Sequence, residues 1–279
     1  MPDILESNSN GTLPAILCFH GHGTNSVIFR YQIRHITQAL DKTFRFIFLD
    51  APFEVQHAGP GAGPAFADAR PFRRWQSDEA VAAAFGVSKD QVDSERQQVR
   101  ELIHKALLQA KESNANGSES GPGAEAEGVV GVIAFSQGSR IAAGMCLDPE
   151  LGARLQFAVL ICGLVPPAPL GASDATTRAS SADAFGLEEK KGVEKQGQAQ
   201  VRSELVSIHI HGTQDPWRVQ SEKLIDTYFN RERAQVFTFE GSHEVPGDVS
   251  VAADVTRGIL QAWGGTRGSR DKDGCNSPV

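Results

Sequence analysis

The 279-residue chain has few cysteines, no concentration of positive charge and no long apolar run. Its four cysteines, Cys18, Cys146, Cys162 and Cys275, form no C-x-x-C pair, and the first three lie in apolar segments. That usage suits buried, reduced thiols in an intracellular protein rather than a disulfide framework. The formal net charge is −7 and Lys and Arg nowhere cluster. Phosphate binding needs concentrated positive charge, so nucleic acid is not expected as a partner. No stretch approaches the ~20 apolar residues that span a bilayer. The segment "MPDILESNSNGTLPA" has neither the basic n-region nor the apolar core of a signal peptide, and the ending "CNSPV" matches no lipidation or peroxisomal signal. A soluble, cytoplasmic protein with no membrane span is the expectation.

What is present is an alternation of apolar runs and helical patterns. Hydrophobic residues make up 40% and charged residues 22%, an ordinary globular mix. Six runs read as strands: 14–20, 44–52, 129–135, 155–163, 204–212 and 234–241. Helical spacing covers 26–40, 88–113, 137–147, 217–229 and 247–263. In 88–113 the apolar face is Val99, Leu102, Ile103, Ala106, Leu107 and Ala110, with Ser88 as its N-cap. Nearly continuous apolar strands alternating with helices imply an α/β fold: a doubly wound, mostly parallel sheet flanked by helices. A single domain over 14–263 is expected. Residues 113–128 and 171–202 read as polar, mobile inserts and 264–279 as a disordered tail, because their composition buries too little apolar area to offset ordering.

The stretch "VVGVIAFSQGSRIAAG" holds a candidate nucleophile, Ser136, where a strand turns into a helix. Such an elbow needs small residues at −2 and +2, because helix and neighbouring strand approach closely there. Gly138 meets that need, and Ala134 departs from glycine by one methyl. A serine that only caps the following helix fits the same pentapeptide. A nucleophilic serine also needs a base, an orienting carboxylate and oxyanion donors. The elbow layout predicts the order Ser, then acid, then His. Asp215 follows the strand in "HIHGTQDPW", and His243 follows the strand in "VFTFEGSHEVPGD". Asp215 also reads as a helix cap before Pro216, and His243 as a surface loop residue. The candidate oxyanion donors are the backbone N–H groups of Gln137 and of His22, the latter in the glycine turn "FHGHGTNS". The loop 52–76 carries Phe53, Phe66, Phe72 and Trp75, which suit either the wall of an acyl pocket or packing on the core.

Together, "LCFHGHGTN", "FLDAPFEV", "RPFRRW", "GVIAFSQGSRIA", "VSIHIHGTQDPW" and "FEGSHEVP" resemble the FSH family of serine hydrolases. That family is a branch of the α/β-hydrolase superfamily common in fungi, related in layout to carboxylesterases and acyl-protein thioesterases. The HG-x-x-D block at Asp215 and the G-x-H-x-x-P block at His243 are its most specific elements. The resemblance implies Ser136 as nucleophile, Asp215 as orienting acid and His243 as base, with no cofactor and no metal. It implies an esterase or thioesterase working on a small acyl ester or a carrier-protein-bound acyl thioester, beside a polyketide synthase in secondary metabolism. Ala134 and the two inserts are its departures from the family pattern. Two other readings stand beside it. One is a non-catalytic binding module on a hydrolase fold. The other is a metal-dependent hydrolase using the H-x-H pairs His20/His22 and His209/His211.

Overall fold

The computed structural model describes residues 4–6, 13–66, 68–77, 86–117, 128–170 and 201–273; the side chains of 114–117 and 266–273 lie outside the description. The sheet is built from β1 (Ile4–Glu6), β2 (Ala15–Phe19), β3 (Arg45–Leu49), β6 (Val129–Phe135), β7 (Phe157–Ile161), β8 (Val206–Gly212) and β9 (Ala234–Phe239). Its order is β1-β3-β2-β6-β7-β8-β9, parallel except for β1 at the edge. All six expected strands are in it, and the doubly wound, mostly parallel α/β architecture is what the apolar runs predict.

Both faces are covered, which is why the inner strands are mostly apolar. One face packs against α3 (Lys89–Gly117), α4 (Gln137–Leu147) and α5 (Arg218–Tyr228), through Val99, Ile103, Ile141 and Leu224 against Leu17, Phe19, Val132 and Leu160. The other packs against α1 (Ser26–Gln32), α2 (Arg34–Leu40) and α6 (Val249–Asp273), through Phe29, Ile36, Val255 and Ile259 against Ile16, Phe48, Ile133 and Ile210. Arg45 is buried at the start of β3. Its guanidinium donates to the Leu13 and Ala110 carbonyls and pairs with Glu6, tying the sheet edge to α3.

Several elements differ from expectation. The helix expected over 26–40 is two helices joined at Ile33, whose N–H still donates to the Phe29 carbonyl. The loop 52–76 contains an antiparallel pair, β4 (Phe53–Val55) with β5 (Phe72–Arg74). α3 continues four residues past 113, and α6 continues ten past 263. Residues 118–127, 171–200 and 274–279, the bulk of the expected inserts and the end of the tail, lie outside the described residues. No helix among the described residues is long and apolar enough to cross a membrane.

The chain runs from β2 outward to β3, then returns to place β6 on the other side of β2. The connection after β2 covers one face and the connection after β6 the other. A crevice therefore opens between the carboxyl ends of β2 and β6, the place where parallel sheets build sites.

Candidate active site

Ser136 stands at the end of β6 with φ 52 and ψ −121, in the left-handed half of conformational space that a non-glycine residue enters only at a cost. Its N–H donates to the Ile161 carbonyl (3.0 Å). Its carbonyl accepts the Ser139 hydroxyl (2.5 Å) and the Ser139 N–H (2.9 Å). A capping serine has extended dihedrals and spends its hydroxyl on the helix amides. Ser136 does neither: it makes no side-chain cap bond to α4, and its Oγ lies 2.7 Å from His243 Nε2.

Gly138 is required by contact. A Cβ there would stand 2.4 Å from the Phe19 carbonyl oxygen and 2.5 Å from that of His20, both backbone atoms of β2 and its following turn. Ala134 pairs in register with Phe19 and Leu160 and is wholly buried, so its methyl is part of the core.

His243 Nδ1 lies 2.8 Å from Asp215 Oδ2, and Asp215 Oδ1 accepts the Trp217 N–H (2.8 Å). Asp215 thus stabilises the turn into α5 with one oxygen and meets the imidazole with the other. The structure brings Ser136, His243 and Asp215 into one hydrogen-bonded chain, at 8%, 5% and 6% exposure. The His243 ring is held between Phe135 (ring centroids 5.3 Å apart) and the edge-on Trp217 (4.5 Å). Trp217, 39% exposed, is the part of this group that meets solvent.

The two oxyanion candidates lie on either side of the crevice. Gln137 is the first residue of α4, where helical geometry leaves the N–H without an intrahelical acceptor. His22 sits in the turn after β2, between Gly21 and Gly23; a Cβ on Gly21 would lie 3.4 Å from Ser136 Cβ. Gly23 has φ +67 and leaves no room for a Cβ, which would meet the Gly59 nitrogen at 2.1 Å.

The segment "RPFRRW" holds this turn in place. Thr24 bridges Arg73, and the Trp75 indole N–H donates to the His20 carbonyl (2.8 Å). Gln137 Oε1 accepts the Trp75 N–H, and its Nε2 donates to the Gln76 carbonyl. Trp75 and Phe72 are buried; Phe66 packs edge-on against Tyr31, and Phe53 lies under the Arg74 guanidinium. Of the two uses open to these aromatics, packing is the one these contacts describe. Beneath, Arg74 is held by two hydrogen bonds to the buried Glu95 carboxylate, which also takes the Ser77 N–H.

The H-x-H pairs do not assemble a metal site among the described residues. His20 Nε2 accepts the Ala51 N–H (3.0 Å), which leaves Nδ1 to donate to the Gly21 carbonyl (2.8 Å). His209 and His211 meet edge-on with ring centroids 6.3 Å apart. Neither pair joins a cluster of three metal-ligating groups; the cluster that does form is Cys162, Asp215 and His243.

Burial lowers His20 from 6.5 to about 4 and His209 from 6.5 to about 3. Below 6.5 the unfolded chain takes up both protons while the native chain refuses them. Stability is therefore full above that value and lost as pH falls through the window, by about 1.4 kcal/mol per pH unit for each ring. Urea midpoints measured from about pH 7 to about pH 5 are expected to fall, and His209→Leu to make that fall shallower. An unchanged midpoint would refute the neutral buried rings.

Sequence reasoning reached Ser136, Asp215, His243, His22 and Gln137. It did not reach Trp217 or Phe135 as walls of the imidazole, Ser139 as the anchor of the elbow, or Cys162 beside the acid. Ser139 and Phe135 lie next to the elbow, so their places were open to inference. Nothing local marks the other two.

A family model described as serine hydrolase (FSH1) matches residues 10–254. Among curated relatives, Thioesterase FSL2 of Gibberella zeae is 39% identical over 257 residues, covering 92% of this chain and 95% of that protein. Probable esterase azaC of Aspergillus niger is 32% identical, covering 94% and 89%. Esterase pigG of Monascus ruber is 30% identical, covering 84% and 85%. Among solved structures, a carboxylesterase of Bacillus cereus superposes with a TM-score of 0.54 at 15% identity, over 94% of this chain and 95% of that one. The last likeness concerns the fold alone, which is the α/β-hydrolase fold.

Proposed function

We propose, for a chain that belongs to the serine hydrolase (FSH1) family and is an ester or thioester hydrolase, that catalysis runs through an acyl-enzyme on Ser136. The observation that carries this is the chain Ser136 Oγ–His243 Nε2 (2.7 Å) and His243 Nδ1–Asp215 Oδ2 (2.8 Å), built on a serine that does not cap its helix. Ser136 Oγ attacks the acyl carbonyl carbon while His243 Nε2 takes its proton. Asp215 holds the proton on Nδ1 and balances the imidazolium. The amides of Gln137 and His22 receive the developing oxyanion. His243 returns the proton to the leaving alcohol or thiol. Water, deprotonated by the same imidazole, then releases the acid and restores Ser136.

A relative named a thioesterase and others named esterases make both bond types substrates to compare. The finer role proposed is release of an acyl or polyketide chain from a carrier-protein thioester in fungal secondary metabolism.

The test has two arms. A fluorophosphonate probe is expected to label the wild type and not Ser136→Ala; an unlabelled wild type would refute the mechanism. A panel of p-nitrophenyl esters and acyl-pantetheine thioesters of matched chain length then separates the substrates. A kcat/KM at least about tenfold higher on thioesters, worth about 1.4 kcal/mol of transition-state binding, supports the carrier role. A preference for esters restricts the function to ester cleavage.

A further inference from the structure

The turn after β7, residues 162–164, supplies none of the three residues above, yet it touches the loops of all three. Leu164 N–H donates to Ser139 Oγ, the group that also holds the Ser136 carbonyl. The Gly163 carbonyl accepts the Ser221 hydroxyl (2.7 Å) of α5, the helix that Asp215 introduces. Cys162 Sγ donates to the carbonyl of Glu244, next to His243 (3.5 Å). The Cys162 sulfur, an Asp215 carboxylate oxygen and a His243 ring nitrogen all lie within 4.8 Å of one another.

The backbone of Cys162 carries a second mark. Its φ is 47, and among the described residues it shares a positive φ with no non-glycine residue except Ser136. Such a conformation costs on the order of 1–3 kcal/mol and persists where the surroundings over-determine it, most often at functional sites. Here the surroundings are the Cys162 N–H bond to the Ile210 carbonyl (2.8 Å) and the Ser139 and Ser221 anchors. A glycine would adopt this conformation without strain. A side chain stands there instead, with its sulfur near the acid and its proton on the Glu244 carbonyl.

We propose that Cys162 is a positioning residue whose thiol, beside the Asp215 carboxylate, holds the Glu244 carbonyl and with it the loop that carries His243. The role presupposes the serine mechanism above. Trp217 N–H serves one oxygen of the Asp215 carboxylate and His243 Nδ1–H the other, while the Cys162 thiol gives its one proton to the Glu244 carbonyl. Burial and the neighbouring Asp215 charge push this thiol up to about 12, so it remains S–H, a donor, across the working range. Without it the Glu244 carbonyl loses this donor and the loop beside His243 can shift, which lets the imidazole drift from Ser136. Misplacement of this kind lowers turnover rather than substrate binding.

The experiment measures kcat, KM and Tm on one p-nitrophenyl ester for wild type, Cys162→Ala, Cys162→Ser, Cys162→Gly and Ser136→Ala. Cys162→Ala is expected to lower kcat about tenfold at unchanged KM, and Cys162→Ser, which restores a donor, to recover to within about threefold of wild type. Cys162→Gly removes the thiol in a backbone that favours glycine, so it should show the same kcat loss even if the alanine variant folds poorly. Full kcat in the alanine or glycine variant overturns the role. So does equal loss in alanine and serine variants, which a packing role would give. If Ser136→Ala is inactive while Cys162→Ala is fully active, this role alone falls. If Ser136→Ala stays active, the serine mechanism falls and this role with it.

Discussion

Asp215→Asn is expected to lower kcat about 10⁴-fold, the scale of a wrong-tautomer defect, while Tm moves by no more than a few degrees. The reason lies in the second contact of the carboxylate. Asp215 Oδ1 accepts the Trp217 N–H at 2.8 Å. An asparagine must keep its carbonyl oxygen on that donor, because its amide NH₂ cannot accept. The NH₂ then faces His243 Nδ1 and makes that nitrogen the acceptor. The ring proton moves to Nε2, the atom 2.7 Å from Ser136 Oγ, and the base can no longer receive the serine proton. The side chain is isosteric and neutral, so folding is little affected. Steady-state kinetics beside a thermal melt would check both halves. Activity within about tenfold of wild type would show that Asp215 does not set the tautomer.

Gly138→Ala is the second large effect, and its sign opposes ordinary helix propensity. In an exposed helix interior, alanine in place of glycine gains up to about 1 kcal/mol. At 138 the added Cβ meets two backbone carbonyls at 2.4 and 2.5 Å, and neither can rotate away as a side chain would. α4 must separate from the end of β2. A destabilisation of about 2–3 kcal/mol is expected from the overpacking. Because the displaced backbone carries the His20–His22 turn, kcat should fall about 10²-fold or more, the size of one lost oxyanion donor. Gly264→Ala is the control: nothing lies within 4 Å of a Cβ there, on α6, and stability should hold or rise. Urea melts of both variants and their esterase rates would decide. A Gly138→Ala protein as stable and active as wild type would mean that the elbow does not need the close approach.

The parts of this protein legible from sequence are those whose cause is local. Strands buried on both faces must be apolar along nearly their whole length, so β2, β3, β6, β7 and β8 announce themselves as runs, while β9, at the other edge and only partly buried, shows through its Val236, Phe237 and Phe239. The three-residue β1 has no such pattern: it is half-buried, at the edge, and paired on one side. The β4–β5 pair was hidden for a related reason. Each strand is three residues long, and 16 residues separate them, so pairing comes from docking against the turn after β2. The break at Ile33 carries no Pro or Gly and has no signature in the helical spacing.

The candidate site residues divide in the same way. Chain order, glycine turns and strand ends were enough to nominate Ser136, Asp215 and His243, because an elbow and two strand-end loops have local signatures. Whether Ser136 capped a helix or faced a base was open until its φ of 52 and the contact with a histidine 107 residues away were seen. Cys162 read as one more buried thiol, since its contacts lie on loops 53 and 82 positions further on. By itself, the sequence determined the layered parallel sheet and the three residues offered at its carboxyl edge. The tertiary structure decided which groups stand against them: Trp75 on the turn after β2, Trp217 against the imidazole, Cys162 on the Glu244 carbonyl beside His243. Strand order and helix packing set those neighbours, and neither is encoded in the residues adjacent to them.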